Sequence, residues 1–463
     1  MDRTTEILLP LAREGDRPMG AQIEEHLRQA IRSGALKPGV RVPSTRDLAR
    51  QLGVSRGLVV NAYAQLGAEG YLVVRQGALP CVSDAAAREA PQTEEPAPAA
   101  LPRFDFRPSL PDVSLFPRDA WLRCLKKALA EMTDDDLRYG DPRGAERLRA
   151  ALADYLGRVR GVVAAPARIV ATTGYRQGEG LVCRALARAG AKRIALEDPS
   201  QPETQGTARR AGLEPVPVAV DEEGLRVEEL ERADVDAVIV TPAHQAPTGV
   251  ALSGERRTAL LQWLRARDAI AVEDDYDAEY RYDRAAVGAL QGLEPEHVVY
   301  AGSTSKTLAP ALRIGWLAVP SRLIDAVADE KQLADRAGAL VDQHAFAEFL
   351  ASGELDRHLR RMRGRYRSRR DELVAALADE LPEATVEGIA AGLHATVRLP
   401  DGDDEDAIAE EAARRRIALE TMGEYRGGDG GPPTLLLGYG QIAEPSIRPG
   451  IRALAEAIRA TRG

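Results

Sequence analysis

Cysteine is nearly absent from this chain. The three present, Cys81, Cys124 and Cys183, are far apart and odd in number, which argues against a disulfide framework or a zinc site and fits a reducing cytosol. His244, His344, His358 and His394 show no metal-ligand spacing either, so no metal is expected. No apolar run approaches the length of a membrane span, and the opening "MDRTTEILLPLAREGDRP" is too charged for a secretory signal; a cytoplasmic protein without a membrane partner is expected. A net charge of -9 speaks against wholesale nucleic-acid binding. Lysine is scarce: Lys37, Lys126, Lys127, Lys192, Lys306 and Lys331 are the only six, and arginine does nearly all the cationic work. A guanidinium stays protonated and forms no Schiff base, whereas an amine can.

What is present is ordinary for a soluble protein, 44% apolar and 29% charged, and 463 residues imply two or three domains. The charge average hides an asymmetry. Between Lys37 and Pro80 six basic residues (Lys37, Arg41, Arg46, Arg50, Arg56, Arg75) meet two acidic ones (Asp47, Glu69), a local +4 inside an acidic chain.

Residues 1–83 read as a small helical unit. Ile23, Leu27, Ala30 and Ile31 give one helix an apolar face; a second starts at Ser44 and stops at Gly53; a third runs from Ser55 with Leu58, Val59, Ala62 and Leu66 inward. "YLVVRQGALPCV" reads as a hairpin about Gln76-Gly77. Helix, helix-turn-helix and hairpin make a winged helix-turn-helix. The third helix of such a unit enters the major groove with its N-terminal residues. Ser55, Arg56 and Gly57 stand there, with Arg41 and Arg46 near phosphates and Arg75, Gln76 and Gly77 at the wing tip.

Residues 84–103 are rich in Ala, Pro and Glu and read as a semi-stiff linker. Beyond it the apolar runs "RIALEDP", "DAVIVTPA", "AIAVEDDYD", "HVVYAGSTS" and "RIGWLAVP" alternate with helical patterns, as buried parallel strands of an α/β domain do. A large domain is expected over 104–340. A smaller one follows over 341–463, joined by the long basic helix "ELDRHLRRMRGRYRSRRDELVAAL", whose arginines read as a solvated face.

Chemistry in open α/β sheets collects at the carboxyl ends of the strands, and the motifs fall there. "STSK" supplies Ser303, Ser305 and Lys306; Arg313 follows; "ATTGYRQG" offers Gly174, Tyr175 and Arg176 at a helix start; "VEDDYD" supplies Asp274 and Tyr276. Pyridoxal 5'-phosphate needs an amine for its aldehyde, a carboxylate for its ring nitrogen, a donor to its ring hydroxyl and a cradle for its phosphate. Lys306, Asp274 and Tyr276 match the first three. Arg313 and a helix N-terminus suit the last.

With these motifs, residues 104–460 resemble a fold-type I aminotransferase. "LRQAIRSGALKPGVRVPSTRDLARQLGVSRGLVVNAYAQLGAEGYL" resembles the GntR family of bacterial transcription factors. Together they resemble the MocR/GabR branch of GntR regulators, on "YGDPRGAERLRAALADYLGRVRG", "TPAHQAPTGV", "VEDDYDAEYRYD" and "GSTSKTLAPALRIGWLAVP". The resemblance implies DNA contacts at the positions of Arg46, Ser55, Arg56, Gly57 and the wing tip, although Gly57 stands where a polar residue is usual. It also implies a homodimer, with Tyr139 reaching the cofactor phosphate of the other subunit and each DNA-binding head lying over the partner's aminotransferase domain.

The departures from that family bear on function. Ala246-Pro247-Thr248-Gly249 replaces Asn-Pro-x-Gly, so the usual amide to the ring hydroxyl is missing, with His244 or Gln245 as substitutes. Gln201 stands where an aromatic ring stacks on the pyridine, and "PTLLLGYGQI" lacks the arginine that clamps a substrate carboxylate. Without that cation a bound carboxylate loses a charge-assisted pair worth about 1.5–3 kcal/mol. The expected function is a transcription regulator that binds double-stranded DNA and pyridoxal phosphate. Three readings stay open. The cofactor is itself the signal, for vitamin B6 genes; an amine or amino acid displaces Lys306; or the chain is a working aminotransferase.

Overall fold

Ile23, Leu27 and Ile31 recur one helical turn apart, and their burial fixes α1 (Met19–Arg32). The hydroxyl of Ser44 accepts the Asp47 N–H at 3.1 Å and starts α2 (Thr45–Leu52); Gly53, at φ 63°, ends it. Val59, Ala62, Tyr63 and Leu66 form the inward face of α3 (Arg56–Ala68). The Tyr63 hydroxyl donates to the Pro43 carbonyl at 2.9 Å, which ties α3 to the turn before α2. Strands β1 (Leu72–Val73) and β2 (Cys81–Val82) pair antiparallel, Leu72 opposite Val82, and form the wing.

These elements belong to the first of two compact units, Met1–Ala99 and Ala100–Gly463. The computed structural model describes residues 10–12, 17–75, 77–84, 101–108, 110–282, 287–428 and 430–462. Gln76 and most of the expected linker lie outside the described residues.

The second unit opens with β3 (Phe104–Asp105), α4 (Arg118–Glu131) and α5 (Glu146–Arg160). Then come β4 (Ile169–Thr172), α6 (Tyr175–Arg188), β5 (Arg193–Asp198), α7 (Pro202–Arg210), β6 (Glu214–Asp221), β7 (Gly224–Leu225), α8 (Val227–Ala233), β8 (Ala237–Val240) and α9 (Gly254–Arg267). The run closes with β9 (Ile270–Asp274), β10 (Val298–Ser303) and β11 (Gly315–Ala318). Its eight strands form one sheet in the order β4-β11-β10-β9-β8-β5-β6-β7. Both faces are covered: along β5, Ile194 and Leu196 enter one apolar core and Ala195 the other. This explains why the strands read as continuous apolar runs rather than alternating ones.

One expectation about this sheet fails. "RIGWLAVP" does form a strand, but β11 runs antiparallel to both β10 and β4. Only residues 304–314 separate β10 from β11, too short a link for the crossover that a parallel return requires. The reversal has a consequence for the site, because it brings the start of β11 to the edge where β4, β9 and β10 end.

Helices α10 (Ile324–Ala334), α11 (Leu340–Ala351) and α12 (Glu354–Glu380) lead into a second, antiparallel sheet. That sheet contains β12 (Thr385–Glu387), β13 (His394–Arg398), β15 (Glu420–Thr421) and β16 (Thr434–Gly438), in the order β12-β13-β16-β15. Helix α13 (Glu405–Arg414), β14 (Ile417–Ala418), which pairs with β3, and α14 (Glu444–Arg462) complete the unit. Leu355, Leu359, Met362, Tyr366 and Leu373 bury one side of α12, while most arginines of its basic run are exposed. Arg370 is half-buried, and Arg369 is buried and paired with Asp112 at 2.6 Å.

A buried ion pair pins the end of β9. Arg160 Nε lies 2.6 Å from Asp275 Oδ2, both side chains 2% exposed, and the Tyr300 hydroxyl donates to the same oxygen at 2.8 Å. Removing one partner of such a pair strands the other charge. Arg160→Leu is therefore expected to destabilise the second unit by about 3–5 kcal/mol, measured by urea denaturation; an unchanged midpoint would contradict this.

Candidate functional site

The carboxyl ends of β4, β5, β8, β9 and β10 enclose a cavity of about 170 Å³. Lys306, in the turn after β10, lines it. Burial pushes its amine below the ordinary lysine range, while Asp277 and Asp274 pull the other way. An amine so placed is a better nucleophile, since less of it is protonated. Asp274, the last residue of β9, faces the same space, and burial holds its carboxyl well above the usual range, with Glu179 adding to the effect. Its carboxylate has no hydrogen-bond partner among the described residues. A buried carboxylate left without a partner calls for a cation or a donor.

Tyr276 also lines the cavity, and its hydroxyl sits 3.0 Å from His244 Nδ1. The same nitrogen lies 3.0 Å from Asp277 Oδ2. His244 is thus behind Tyr276, not on the wall. Gln245 is equally committed: Nε2 donates to Glu197, Pro199 and Ala246 oxygens, and Oε1 accepts from Thr248. The expectation that His244 or Gln245 replaces the missing amide is corrected on both counts, because neither lines the cavity and both side chains are held by protein partners.

The anion cradle is built from backbone. Gly174 caps α6 at φ 93°, ψ 171°, a conformation open almost only to glycine. A Cβ there would meet Arg313 Nη2 at 2.9 Å. Arg313, itself at φ 51°, stands just before β11 and donates to the Thr173 carbonyl at 2.5 Å. The reversed β11 is what carries this guanidinium to the cavity. The first N–H groups of α6, from Tyr175 and Arg176, have no helical acceptor, and Ser303 and Ser305 complete the wall. The Arg176 side chain is spent elsewhere, on Glu179 and Thr204 at 3.0 Å and on Gln201 at 2.7 Å.

An amine, an unpartnered carboxylate, a phenol and an anion cradle suit pyridoxal phosphate, so the residues present fit that group. Sequence reasoning overlooked Glu197 and Thr241 on the wall. Burial pushes the Glu197 carboxyl up to about 7. Its signal was its place at the end of "RIALED", the same strand-end position that drew attention to Asp274. Tyr139 is 83% exposed, with the Arg336 guanidinium 4.5 Å from its ring centre, and does not line this cavity. The strand at the position of the missing clamp, β16, carries buried Leu435, Leu436 and Leu437.

In the first unit Arg46, Ser55, Arg56, Gly57, Arg75 and Gly77 are all exposed, as is Arg41. The hydroxyl of Ser55 makes no cap bond to α3 although it stands at the N-cap. Arg56 Nε donates to Thr45 Oγ1 at 3.4 Å, its one partner among the described residues. The N-terminus of α3 therefore presents a hydroxyl and a guanidinium outward, the groups that read base edges and phosphates.

Comparison with known proteins matches residues 19–78 to the bacterial regulatory proteins of the gntR family and residues 113–419 to aminotransferase class I and II. The chain is 33% identical to the HTH-type pyridoxine biosynthesis transcriptional regulator PdxR of Corynebacterium glutamicum, over 97% of this chain and 98% of that protein. It is also 33% identical to the probable rhizopine catabolism regulatory protein MocR of Rhizobium meliloti, over 98% and 96%. Among solved structures, kynurenine aminotransferase of Pyrococcus horikoshii superposes with a TM-score of 0.71 at 27% identity, covering 77% of this chain and 91% of that one.

Gly174→Ala forces a side chain into a glycine-only conformation and against Arg313, with about 1–3 kcal/mol of strain. Pyridoxal phosphate affinity, measured by equilibrium dialysis, is expected to fall at least about tenfold; unchanged affinity would remove Gly174 from the cradle.

Proposed function

The chain belongs to the MocR/GabR subfamily of GntR-family transcription regulators, and on that premise we propose that pyridoxal phosphate is itself the signal it senses. One observation carries this reading. The cavity keeps a group suited to each polar feature of the cofactor but, among the described residues, no free cation for an amino-acid carboxylate: β16 is apolar, buried and off the wall, and Arg176 is consumed by its neighbours. Gln201, in place of a stacking ring, has its carbonyl turned to Arg176. Bound pyridoxal phosphate supplies an electron-withdrawing ring and an aldehyde for an amine. Lys306 holds that aldehyde, Asp274 keeps the ring nitrogen protonated, Tyr276 donates to the ring oxygen, and Arg313 with Ser303, Ser305 and the α6 N-terminus grips the phosphate. A site that binds the cofactor without clamping a substrate reports cofactor supply. The 33% identity to a regulator named for pyridoxine biosynthesis supports control of vitamin B6 genes.

The protein acts in the cytoplasm as a homodimer. Tyr139, exposed under Arg336 and off the wall of its own cavity, serves the phosphate of a second copy. DNA is held through Arg41, Arg46, the Ser55–Gly57 helix start and the wing residues Arg75, Gln76 and Gly77. A second reading, an amine that displaces Lys306, draws on the similarity to a regulator named for rhizopine catabolism. Steady transamination is disfavoured by the same apolar β16.

Duplexes selected from a random pool by the full-length protein give the operator. Its affinity with and without pyridoxal phosphate is expected to differ by at least about fivefold, the lower end of allosteric couplings. Arg56→Ala is expected to weaken the complex by about 1–3 kcal/mol. Affinity, footprint and bend all unchanged by the cofactor would end the sensing proposal.

A further inference from the structure

Glu197 is 6% exposed at the end of β5, and three donors converge on its carboxyl. All three choose one oxygen: the Thr241 N–H at 3.1 Å, the Thr241 hydroxyl at 2.5 Å and Gln245 Nε2 at 3.2 Å reach Oε2. Among the described residues Oε1 takes no hydrogen bond, yet it is not sealed in protein, and Glu197 lines the cavity. A carboxyl held rigidly by one oxygen with the other left open is built to meet something in that space.

The cofactor's polar groups narrow the choice. Arg313 and the α6 N-terminus suit the phosphate, Asp274 the ring nitrogen and Lys306 the aldehyde, which leaves the ring oxygen. Tyr276 is the phenol on that side, and the charge of Glu197 is felt at Tyr276. Ala246, which lines the same cavity, has no polar side-chain group, while His244 and Gln245 are committed to protein partners. We infer that Glu197 is a cofactor-positioning residue, a neutral acid whose Oε1 proton is donated to the ring oxygen of pyridoxal phosphate beside Tyr276. The inference rests on the reading of the cavity as a pyridoxal phosphate site.

Burial supports the neutral form, since it pushes the carboxyl up to about 7. Ionisable groups facing it across the cavity are Asp274 at the end of β9, Tyr276 beyond it, Lys306 after β10, Arg313 before β11 and Arg176 on α6; behind Tyr276 lies the His244–Asp277 pair. The sign follows from the chemistry of the donor. Below pH 7 the proton is present and the bond forms. Above it the ionised carboxylate cannot donate and repels an anionic ring oxygen, so cofactor affinity weakens as pH rises.

The test compares pyridoxal phosphate affinity of the full-length protein with that of Glu197→Gln, at about pH 6 and about pH 8.5. The amide donates at either pH, and every other titrating group is shared, so the variant isolates one proton. Near pH 6 the two proteins are expected to bind alike; near pH 8.5 the wild type is expected to bind roughly tenfold more weakly than the variant. Glu197→Ala, which keeps no donor, is expected to bind several-fold more weakly than Glu197→Gln at both values, with melting temperatures checking that each variant folds. An affinity ratio that does not move with pH overturns the assignment of Glu197 alone. Absence of pyridoxal phosphate binding in the wild type at both values overturns the parent reading along with it.

Discussion

An amine whose proton affinity is lowered by burial, at Lys306, shares its cavity with a carboxyl group that has no hydrogen-bond partner among the described residues, at Asp274. Neither group is comfortable alone: each is desolvated, and each is shifted away from its charged form. A ligand that brings a protonated ring nitrogen to one and an aldehyde to the other relieves both at once. The rest of the second unit can be understood as the scaffold that holds these two groups at the ends of neighbouring parallel strands, β9 and β10. Beneath them the Arg160–Asp275 pair and the Tyr300 hydroxyl fix the end of β9 in a dry interior.

The same scaffold decides what the cavity does not do. Antiparallel β11 delivers Arg313 to the cradle, where Gly174 leaves room for its guanidinium. The leucines of β16 are buried and none of them lines the cavity, and Arg176, the other guanidinium on the wall, is held by Glu179, Thr204 and Gln201. On the proposed reading, the cavity offers groups suited to the cofactor and, among the described residues, no free cation for a substrate carboxylate, which favours a receptor over a catalyst. Joined to a unit whose α3 presents Ser55 and Arg56 outward, such a receptor gives a regulator something to respond to.

Much of this was legible in the sequence because it depends on local chemistry. Apolar spacing placed α1 and α3, Ser44 and Gly53 marked the limits of α2, and five apolar runs located strands of the large sheet. Lys306, Asp274, Tyr276 and Arg313 stood out because each follows or precedes such a run. What was not legible depends on contacts between distant residues. The direction of β11 follows from the short 304–314 link rather than from its own composition. The fates of His244 and Gln245 are set by Asp277, Glu197 and Thr248, and no periodicity shows that a side chain is already taken. Glu197 shares the strand-end position of Asp274, but only the hydrogen-bond pattern shows that one of its oxygens takes no partner among the described residues.

Borohydride reduction of the protein loaded with pyridoxal phosphate, followed by peptide mapping, addresses the central claim most directly. A yellow protein is expected, whose reduced cofactor stays attached to residue 306, with Lys306→Ala colourless and folded. A protein that folds but remains colourless with added cofactor, or one that carries the label on another lysine, would contradict it.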